Sequence, residues 1–153
     1  MKIEGKRPAK SRDRAISGES MSPKPLYIML CSAEHEKIQL AAMIASVAAV
    51  SDRPVEVFVT MNALLPFERG KSPAERYHGG HFHDLFMTKN VPDAIDLFGQ
   101  GKMLGEMKMW ACSLVLDLQH WECDTHLTED LFDGPMGLAK FLADAESGEL
   151  ITI

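Results

Sequence analysis

The 153-residue sequence predicts an α/β protein, built as a mainly parallel sheet of four to five strands between layers of helices. Three observations predict this class. Short apolar runs of strand length alternate along the chain with segments of helical periodicity. With 46% hydrophobic and 25% charged residues, the composition is that of a globular protein. The length suits one domain with a core of its own, and strands that alternate with helices pair in parallel through right-handed crossovers.

The first part of this pattern contains two strands and a long helix. The continuous apolar run "LYIMLC" (26–31) predicts a buried strand. Ser32 then offers a helix N-cap, and apolar positions from Ile38 to Val50 keep helical spacing until "SDRP" ends the helix. The segment "VEVFVT" (55–60) predicts a second strand, since it is apolar and β-branched as in a sheet covered on both faces.

An irregular stretch separates these elements from the rest of the pattern. After Asn62 the sequence is rich in proline and glycine, which predicts short helices and a surface excursion. We also expect a fifth strand between residues 80 and 90. The segment "DAIDLFGQGKMLG" (93–105) predicts a helix that is capped by Gly99 or Gly101.

The C-terminal part completes the alternation. The segment "MKMWAC" (107–112) predicts a strand, and "SLVLDLQHW" (113–121) continues it as a helix. A further helix is expected to start around Pro135, because proline suits the first helical turn. Its inward-facing residues should be Leu138, Phe141, Leu142 and Ala145. The segment "ELITI" (149–153) is the expected closing strand.

The first 24 residues differ from the rest of the chain in charge and hydropathy. They carry seven Lys or Arg and three acids, whereas the remainder has a net charge of −10. Because this start has almost no apolar content, residues 1–24 are expected to be a flexible basic tail before a single domain over 25–153. An acidic domain lacks the basic face that nucleic acid or an anionic membrane requires, so neither is an expected partner.

The apolar runs are too short for export or for membrane insertion. The run "LYIML" is shorter than a secretory signal requires, and "LAAMIASVAAV" (40–50) has 11 residues where a membrane span needs roughly 20. A cytoplasmic protein is therefore expected. The three cysteines include no closely spaced pair, which favours reduced thiols over a disulfide framework.

The sequence contains two cysteines that end predicted strands, Cys31 and Cys112. In open parallel sheets, functional groups gather beyond the carboxyl ends of the strands. Cys112 is followed at once by a helix N-terminus, whose partial positive charge favours an anionic thiolate by roughly 0.3 to 1 kcal/mol. The alternative is that Cys112 is a small buried apolar residue. A sulfur species could also pass between Cys31 and Cys112, and Cys112 with Cys123 could form a redox pair.

A second group of residues is suited to metal binding. His120, Cys123 and His126 are spaced three apart, so on a helix His120 and Cys123 share a face. A structural zinc site normally needs four ligands, and three residues alone do not make one. The fourth ligand would be one of the following: Asp124, Cys112 or a histidine of "HGGHFH" (78–83). In that stretch, His81 and His83 point the same way if the segment is extended.

The familiar cofactor signatures are absent. The loop "CSAEHEK" after the first strand has no glycine and one hydroxyl, so it is a poor phosphate cradle for a flavin or nucleotide. The glycines of "GQGKMLG" (99–105) have the wrong spacing and do not follow a strand. The chain also lacks a CxxC motif for thioredoxin chemistry. No resident cofactor or metal is therefore expected.

Three blocks of the sequence resemble the DsrE/DsrF-like family of small sulfur-relay proteins. The blocks begin at "LYIMLCSAEHEK", "MKMWACSLVLDL" and "EDLFDGPMGLAKF", and together they cover nearly all of residues 26–153. In that family a strand ends in a cysteine followed by a short helix, then an "EDL.DG" segment, a helix and a final strand. Cys112 and residues 129–131 and 133–134 occupy those places.

The resemblance implies a flavodoxin-like three-layer sandwich and a homo-oligomer, a trimer or a hexamer. It also implies a persulfide carried on Cys112 for intracellular sulfur transfer, with sulfur-donor and sulfur-acceptor proteins as partners. Two segments, "QHWECDTHLT" and "ERYHGGHFHDLF", differ from the family pattern, and they could cover Cys112 or add a second reactive group, with Cys123 as resolving partner.

Two alternative functions stay open at this point. One is a non-catalytic oligomeric binding or accessory subunit of the same fold, in which Cys112 is buried and inert. The other is a metal-binding protein that uses its histidines together with Cys123.

Overall fold

A five-stranded parallel sheet forms the centre of the fold in the computed structural model, which describes residues 22–153. The strands are β1 (Leu26–Leu30), β2 (Val55–Val59), β3 (Met107–Cys112), β4 (Gly134–Met136) and β5 (Glu149–Thr152). Their spatial order is β4-β3-β2-β1-β5, and every neighbouring pair is parallel. The α/β class, and a sheet of the kind found in a flavodoxin-like three-layer sandwich, are therefore confirmed.

Helices connect these strands and cover the sheet. Within residues 22–153 they are α1 (His35–Val50), α2 (Pro73–Arg76), α3 (His81–Thr88), α4 (Ala94–Leu104), α5 (Ser113–Gln119), α6 (Cys123–His126), α7 (Leu138–Ala145) and a 3-10 helix (Met61–Phe67). From β1 to β4, each strand is placed next to the one before it, always in the same direction across the sheet. The last connection crosses back over the sheet, so that β5 pairs with the other side of β1. Because such crossovers are right-handed, α7 lies on the face opposite to α1, α4 and α5.

Side-chain contacts on the two faces of the sheet agree with this layering. Tyr27 of β1 and Phe58 of β2 contact Phe141 of α7, with ring centroids 5.7 and 4.9 Å apart. On the other face, Met107 of β3 packs against Gly101 of α4. Because side chains alternate between the faces of a strand, the residues of β1 and β2 are buried on both sides and form the centre of the core.

Four of the predicted strands are confirmed, but the fifth lies elsewhere. The stretch between residues 80 and 90 is helical, as α3, and the fifth strand is the three-residue β4. The expected helix start around Pro135 is wrong for the same reason, because Pro135 lies in β4 and α7 begins at Leu138. Proline is compatible with β4 since this strand is at the edge of the sheet, where a missing N–H group leaves no neighbour unpaired.

The predicted inward face of the last helix is half correct. Phe141 and Ala145 are buried, whereas Leu138 and Leu142 are 46% and 41% exposed. The helix is only eight residues long and contacts the sheet along one line of side chains, one turn apart. Leu138 and Leu142 lie beside that line.

Two predicted helix boundaries are wrong. Neither Gly99 nor Gly101 caps α4, which continues to Leu104 and ends at Gly105. Gly101 is buried where α4 packs against α1, so close packing explains this glycine. Ser32 is not the N-cap of α1, since Glu34 takes that position and donates its N–H to the Ser32 hydroxyl at 3.3 Å.

The predicted basic tail lies mostly outside the described residues, which begin at residue 22. At the start of the described part, the carbonyl of Lys24 accepts a hydrogen bond from Arg53 Nε at 2.7 Å. Across residues 22–153, no helix combines the length and the apolar character that crossing a bilayer would require.

Candidate functional site

Cys31, Thr60 and Cys112 lie in one row at the carboxyl edge of the sheet. The residues that precede them, Leu30, Val59 and Ala111, are register partners in β1, β2 and β3. Because successive side chains of a strand point to opposite faces, Cys31, Thr60 and Cys112 all lie on the face that α7 covers. Neighbouring strands are about 4.8 Å apart, so two strand spacings place the α-carbons of Cys31 and Cys112 roughly 10 Å apart. That exceeds the reach of a disulfide, and sulfur cannot pass directly between the two thiols in this arrangement.

Cys112 is the last residue of β3 and the N-cap of α5. Its side chain is only 4% exposed, and across the sheet it is paired with Met136 of β4. The strand end and helix start that the sequence predicts are both present here. The burial, however, means that a sulfur donor must be small, or that part of the cover must move before the thiol can react.

Cys31 is less buried and is held by the C-terminal strand. Its thiol donates to the carbonyl of Ile153 at 3.3 Å, and its backbone N–H donates to the same carbonyl at 2.8 Å. This pairing fixes the thiol beside β5. All three cysteines of the chain are free thiols.

The backbone at the middle of the row is strained. Thr60 is buried, and the next residue, Met61, has a φ angle of 52° and a side chain that is 55% exposed. A left-handed conformation in a residue other than glycine costs roughly 1 to 3 kcal/mol and is concentrated at functional sites. The strain therefore falls at the same sheet edge as the two thiols.

Cys123 is not part of this row: it begins α6 and lines a cavity of about 590 Å³ that Ser113, the residue after Cys112, also lines. Trp121 and Phe132 also line this cavity. Burial raises the pKa of the Cys123 thiol, and the nearby carboxylates of Asp124 and Asp133 raise it further. Since the thiolate is the reactive form, Cys123 is a poor nucleophile near neutral pH.

The segment that carries Cys123 is held by Arg69, which lies shortly after the 3-10 helix. Arg69 donates through its guanidinium to the carbonyls of Asp124 and Leu127, at 2.6 and 2.9 Å. Its backbone N–H also donates to the carbonyl of His126 at 2.8 Å. The stretch "QHWECDTHLT" is therefore an ordered wall of the cavity.

The prediction that His120 and Cys123 share a helix face is wrong. His120 has a φ angle of 55° and ends α5, while Cys123 begins the separate helix α6. The left-handed residue turns the chain, so the spacing of three no longer stacks the side chains. His81 and His83 lie on α3 and not on an extended segment. No group of three or more His, Cys, Asp or Glu side chains in residues 22–153 could hold a metal ion.

The structure shows a histidine pair that the sequence analysis missed. His35, the first residue of α1, is 3% exposed, and its Nδ1 lies 2.9 Å from Nδ1 of His83. The ring of His35 stacks on Tyr77 with centroids 4.0 Å apart. One sequence signal could have found it. His35 precedes the buried Ile38 and Ala42 by three and seven residues, which places it on the inward face of the helix.

The comparisons with known proteins do not identify the chain. No family model matches it, and no match was found among the curated proteins. The likeness to the DsrE/DsrF-like family therefore rests on the three sequence blocks, and the function is a proposal.

Proposed function

We propose that the protein is a persulfide carrier for intracellular sulfur transfer in the cytoplasm, with Cys112 as the sulfur-accepting thiol. One observation carries the proposal: Cys112 ends β3, an inner strand, at the carboxyl edge of a parallel sheet, where reacting groups gather in this architecture. The same position holds the cysteine of the DsrE/DsrF-like family that the sequence resembles. A strained backbone at Met61 marks the same edge.

The transfer step needs no oxidant or cofactor. The thiolate of Cys112 attacks the outer sulfur of a donor persulfide, R–S–SH, and a new S–S bond forms as the S–S bond of the donor breaks. The products are a persulfide on Cys112 and the donor thiolate. An acceptor thiolate then removes the outer sulfur from Cys112 by the same reaction, so sulfur-donor and sulfur-acceptor proteins are the proposed partners.

The other two thiols take lesser roles. The raised pKa of Cys123 makes it slow to attack a persulfide, so it does not start the transfer. Cys31 is fixed to the carbonyl of Ile153 and lies two strands away from Cys112. We therefore assign the carrier role to Cys112, and a resolving role to Cys123 requires movement of the segment that Arg69 holds.

Substitution of single cysteines tests this assignment. After incubation with inorganic polysulfide and desalting, we expect wild-type protein to hold about one sulfane sulfur per chain by cyanolysis. Cys112→Ser should hold none, whereas Cys123→Ser and Cys31→Ser should load like the wild type. Circular dichroism checks that each variant is folded. If folded Cys112→Ser loads as much sulfur as the wild type, Cys112 is not the carrier.

The burial of Cys112 favours a second candidate function, a non-catalytic oligomeric accessory subunit. An apolar stripe on α1 also supports assembly, because four side chains on one helix face are about half exposed or more. They are Leu40, Met43, Val47 and Val50. Contiguous exposed apolar surface of this kind marks an interaction site. We propose that a second copy of the chain covers this stripe, within a trimer or hexamer.

Introducing a charge into the stripe tests the assembly. Val47 is 64% exposed, so Val47→Glu should leave the fold intact but weaken association at least about tenfold, since the charge would be buried between subunits. The matched control is Leu118→Glu on α5, where the side chain is 71% exposed and lies off the stripe. Light scattering after gel filtration gives the mass of each protein. A monomeric wild type, or an unchanged Val47→Glu oligomer, would contradict the proposal.

A further inference from the structure

The contact between His35 and His83 restricts how many protons the two rings can hold. With the two Nδ1 atoms 2.9 Å apart, one nitrogen must donate and the other must accept. Two neutral rings satisfy this condition when one ring is protonated at Nδ1 and the other at Nε2. A single imidazolium can still donate to the neutral ring. Two imidazolium rings have no acceptor and bring like charges together, so the contact cannot survive double protonation.

The surroundings of His35 favour its neutral form. Burial is the largest cause that lowers the pKa of His35, and the charge on His83 lowers it further, while the Asp93 carboxylate raises it. Asp93 is already engaged, because it accepts hydrogen bonds from the hydroxyl of Tyr77 at 3.0 Å and from a backbone N–H at 2.8 Å. Arg76 lies 3.9 Å from the same carboxylate.

The remaining groups near His35 do not offset its burial. Tyr77 covers one face of the imidazole ring, and burial together with Asp93 raises the pKa of its hydroxyl well above the usual range, so it stays neutral. Glu34, the preceding residue, is exposed and pairs with Lys37 at 3.7 Å. His78 contributes its backbone carbonyl, which accepts from the His35 N–H at 2.8 Å. Among these ionisable residues, His83 makes the closest contact with the His35 ring.

Little else holds α3 against α1. No residue of α3 is buried, and Phe82 is 51% exposed. Phe86 of α3 also contacts His35, and the two rings meet edge-on with centroids 5.1 Å apart. The contacts of His83 and Phe86 both converge on the single ring of His35. A change in that ring therefore acts on the attachment of the whole helix.

We propose that His35 and His83 form a pH-sensitive latch, which holds α3 on α1 at neutral pH and releases it when both rings are protonated. Phe82 and Phe86 line an apolar cavity together with Leu40 and Met43 of α1. Release of α3 would expose more of Leu40 and Met43, which already belong to the apolar stripe. The latch thus couples pH to the surface that is proposed to bind a second copy, but it does not depend on sulfur transfer.

The direction of the pH dependence follows from the lowered pKa of His35. A group that binds protons more weakly in the folded state than in the unfolded state stabilises the folded state at high pH. The contribution of His35 is complete above its ordinary value of 6.5 and is lost as the pH falls through the lower folded value. The latch therefore closes at neutral pH and opens in acid.

Hydrogen exchange on the full-length protein tests the latch. In wild type, protection of the amides of α3 should fall at least about tenfold between pH 7.5 and 5.0, after correction for intrinsic exchange, while β1 and β2 stay protected. His83→Gln should reduce this change, since the glutamine side chain stays uncharged and its oxygen can accept from a protonated His35. His81→Gln is the control, because His81 is exposed on the same helix. It should behave like the wild type. EDTA in every buffer excludes metal binding.

Three results would overturn the latch. One is constant protection of α3 in the wild type across this pH range. Another is a wild-type loss of protection that persists unchanged in His83→Gln. The third is simultaneous loss of protection in β1 and β2, which would mean that the whole fold opens and not α3 alone.

Discussion

Phe141→Ala is expected to lower the free energy of unfolding by about 3 to 5 kcal/mol, as is usual for deletion of a buried phenylalanine ring. Phe141 is fully buried and stacks on Phe58, with ring centroids 4.9 Å apart, and it meets the edge of Tyr27. The other buried residue of α7 is the small Ala145. The ring is thus the main anchor between this short helix and its face of the sheet.

Leu142→Ala is the matched control for this prediction. Leu142 is the next residue on α7, and its side chain is 41% exposed, so its truncation should cost less than about 1 kcal/mol. Urea unfolding followed by circular dichroism measures both variants. Equal losses in the two variants would show that α7 is not anchored by Phe141.

Gly105→Ala is expected to destabilise the fold by about 3 kcal/mol, toward the upper end of the usual cost of overpacking. A Cβ atom at Gly105 would fall on the backbone carbonyl of Ala49 in α1, closer than any non-bonded contact allows. The backbone of Gly105 is extended, so lack of space and not conformation excludes a side chain here. Because the backbone of α1 cannot rotate away as the end of a flexible side chain can, the whole helix would have to shift.

Gly99→Ala, in α4, is expected to raise the free energy of unfolding. Apart from its chain neighbours and the backbone of its own helix, no atom lies within 4 Å of the position that its Cβ would take, and Gly99 is in the interior of α4. Alanine favours a helix interior over glycine by about 0.5 to 1 kcal/mol, so this variant should be more stable than the wild type. The same urea titration compares the two glycines. Changes of the same sign would contradict the packing described for Gly105.

The sequence predicts β1, β2, β3 and the largely exposed β5, and it misses β4. β1 is a continuous apolar run and β2 is interrupted only by Glu56, and both have the length and residue types of strands. β4 consists of Gly134, Pro135 and Met136, and nothing in those residue types favours a strand. It forms because the parallel edge of β3 offers it hydrogen-bond partners. That is a tertiary effect, which local patterns do not contain.

The positions of Cys31 and Cys112 at strand ends also follow from the sequence, because the apolar runs end at these residues. The burial of Cys112 cannot be predicted from the sequence, because it depends on where β4 and the start of α7 lie in the fold. The pairing of His35 with His83 joins residues 48 positions apart through a helix that the sequence analysis expected to be a strand. The environment of Cys123 likewise depends on the turn at His120.

The central claim is that Cys112 carries sulfane sulfur, and mass spectrometry of the wild-type protein tests it most directly. After exposure to inorganic polysulfide, we expect the intact mass to rise by one sulfur, about 32 mass units, as a reversible persulfide. Alkylation and proteolysis should then locate the extra sulfur on Cys112. An unchanged mass, or a sulfur located on Cys31 or Cys123 with none on Cys112, would contradict the claim.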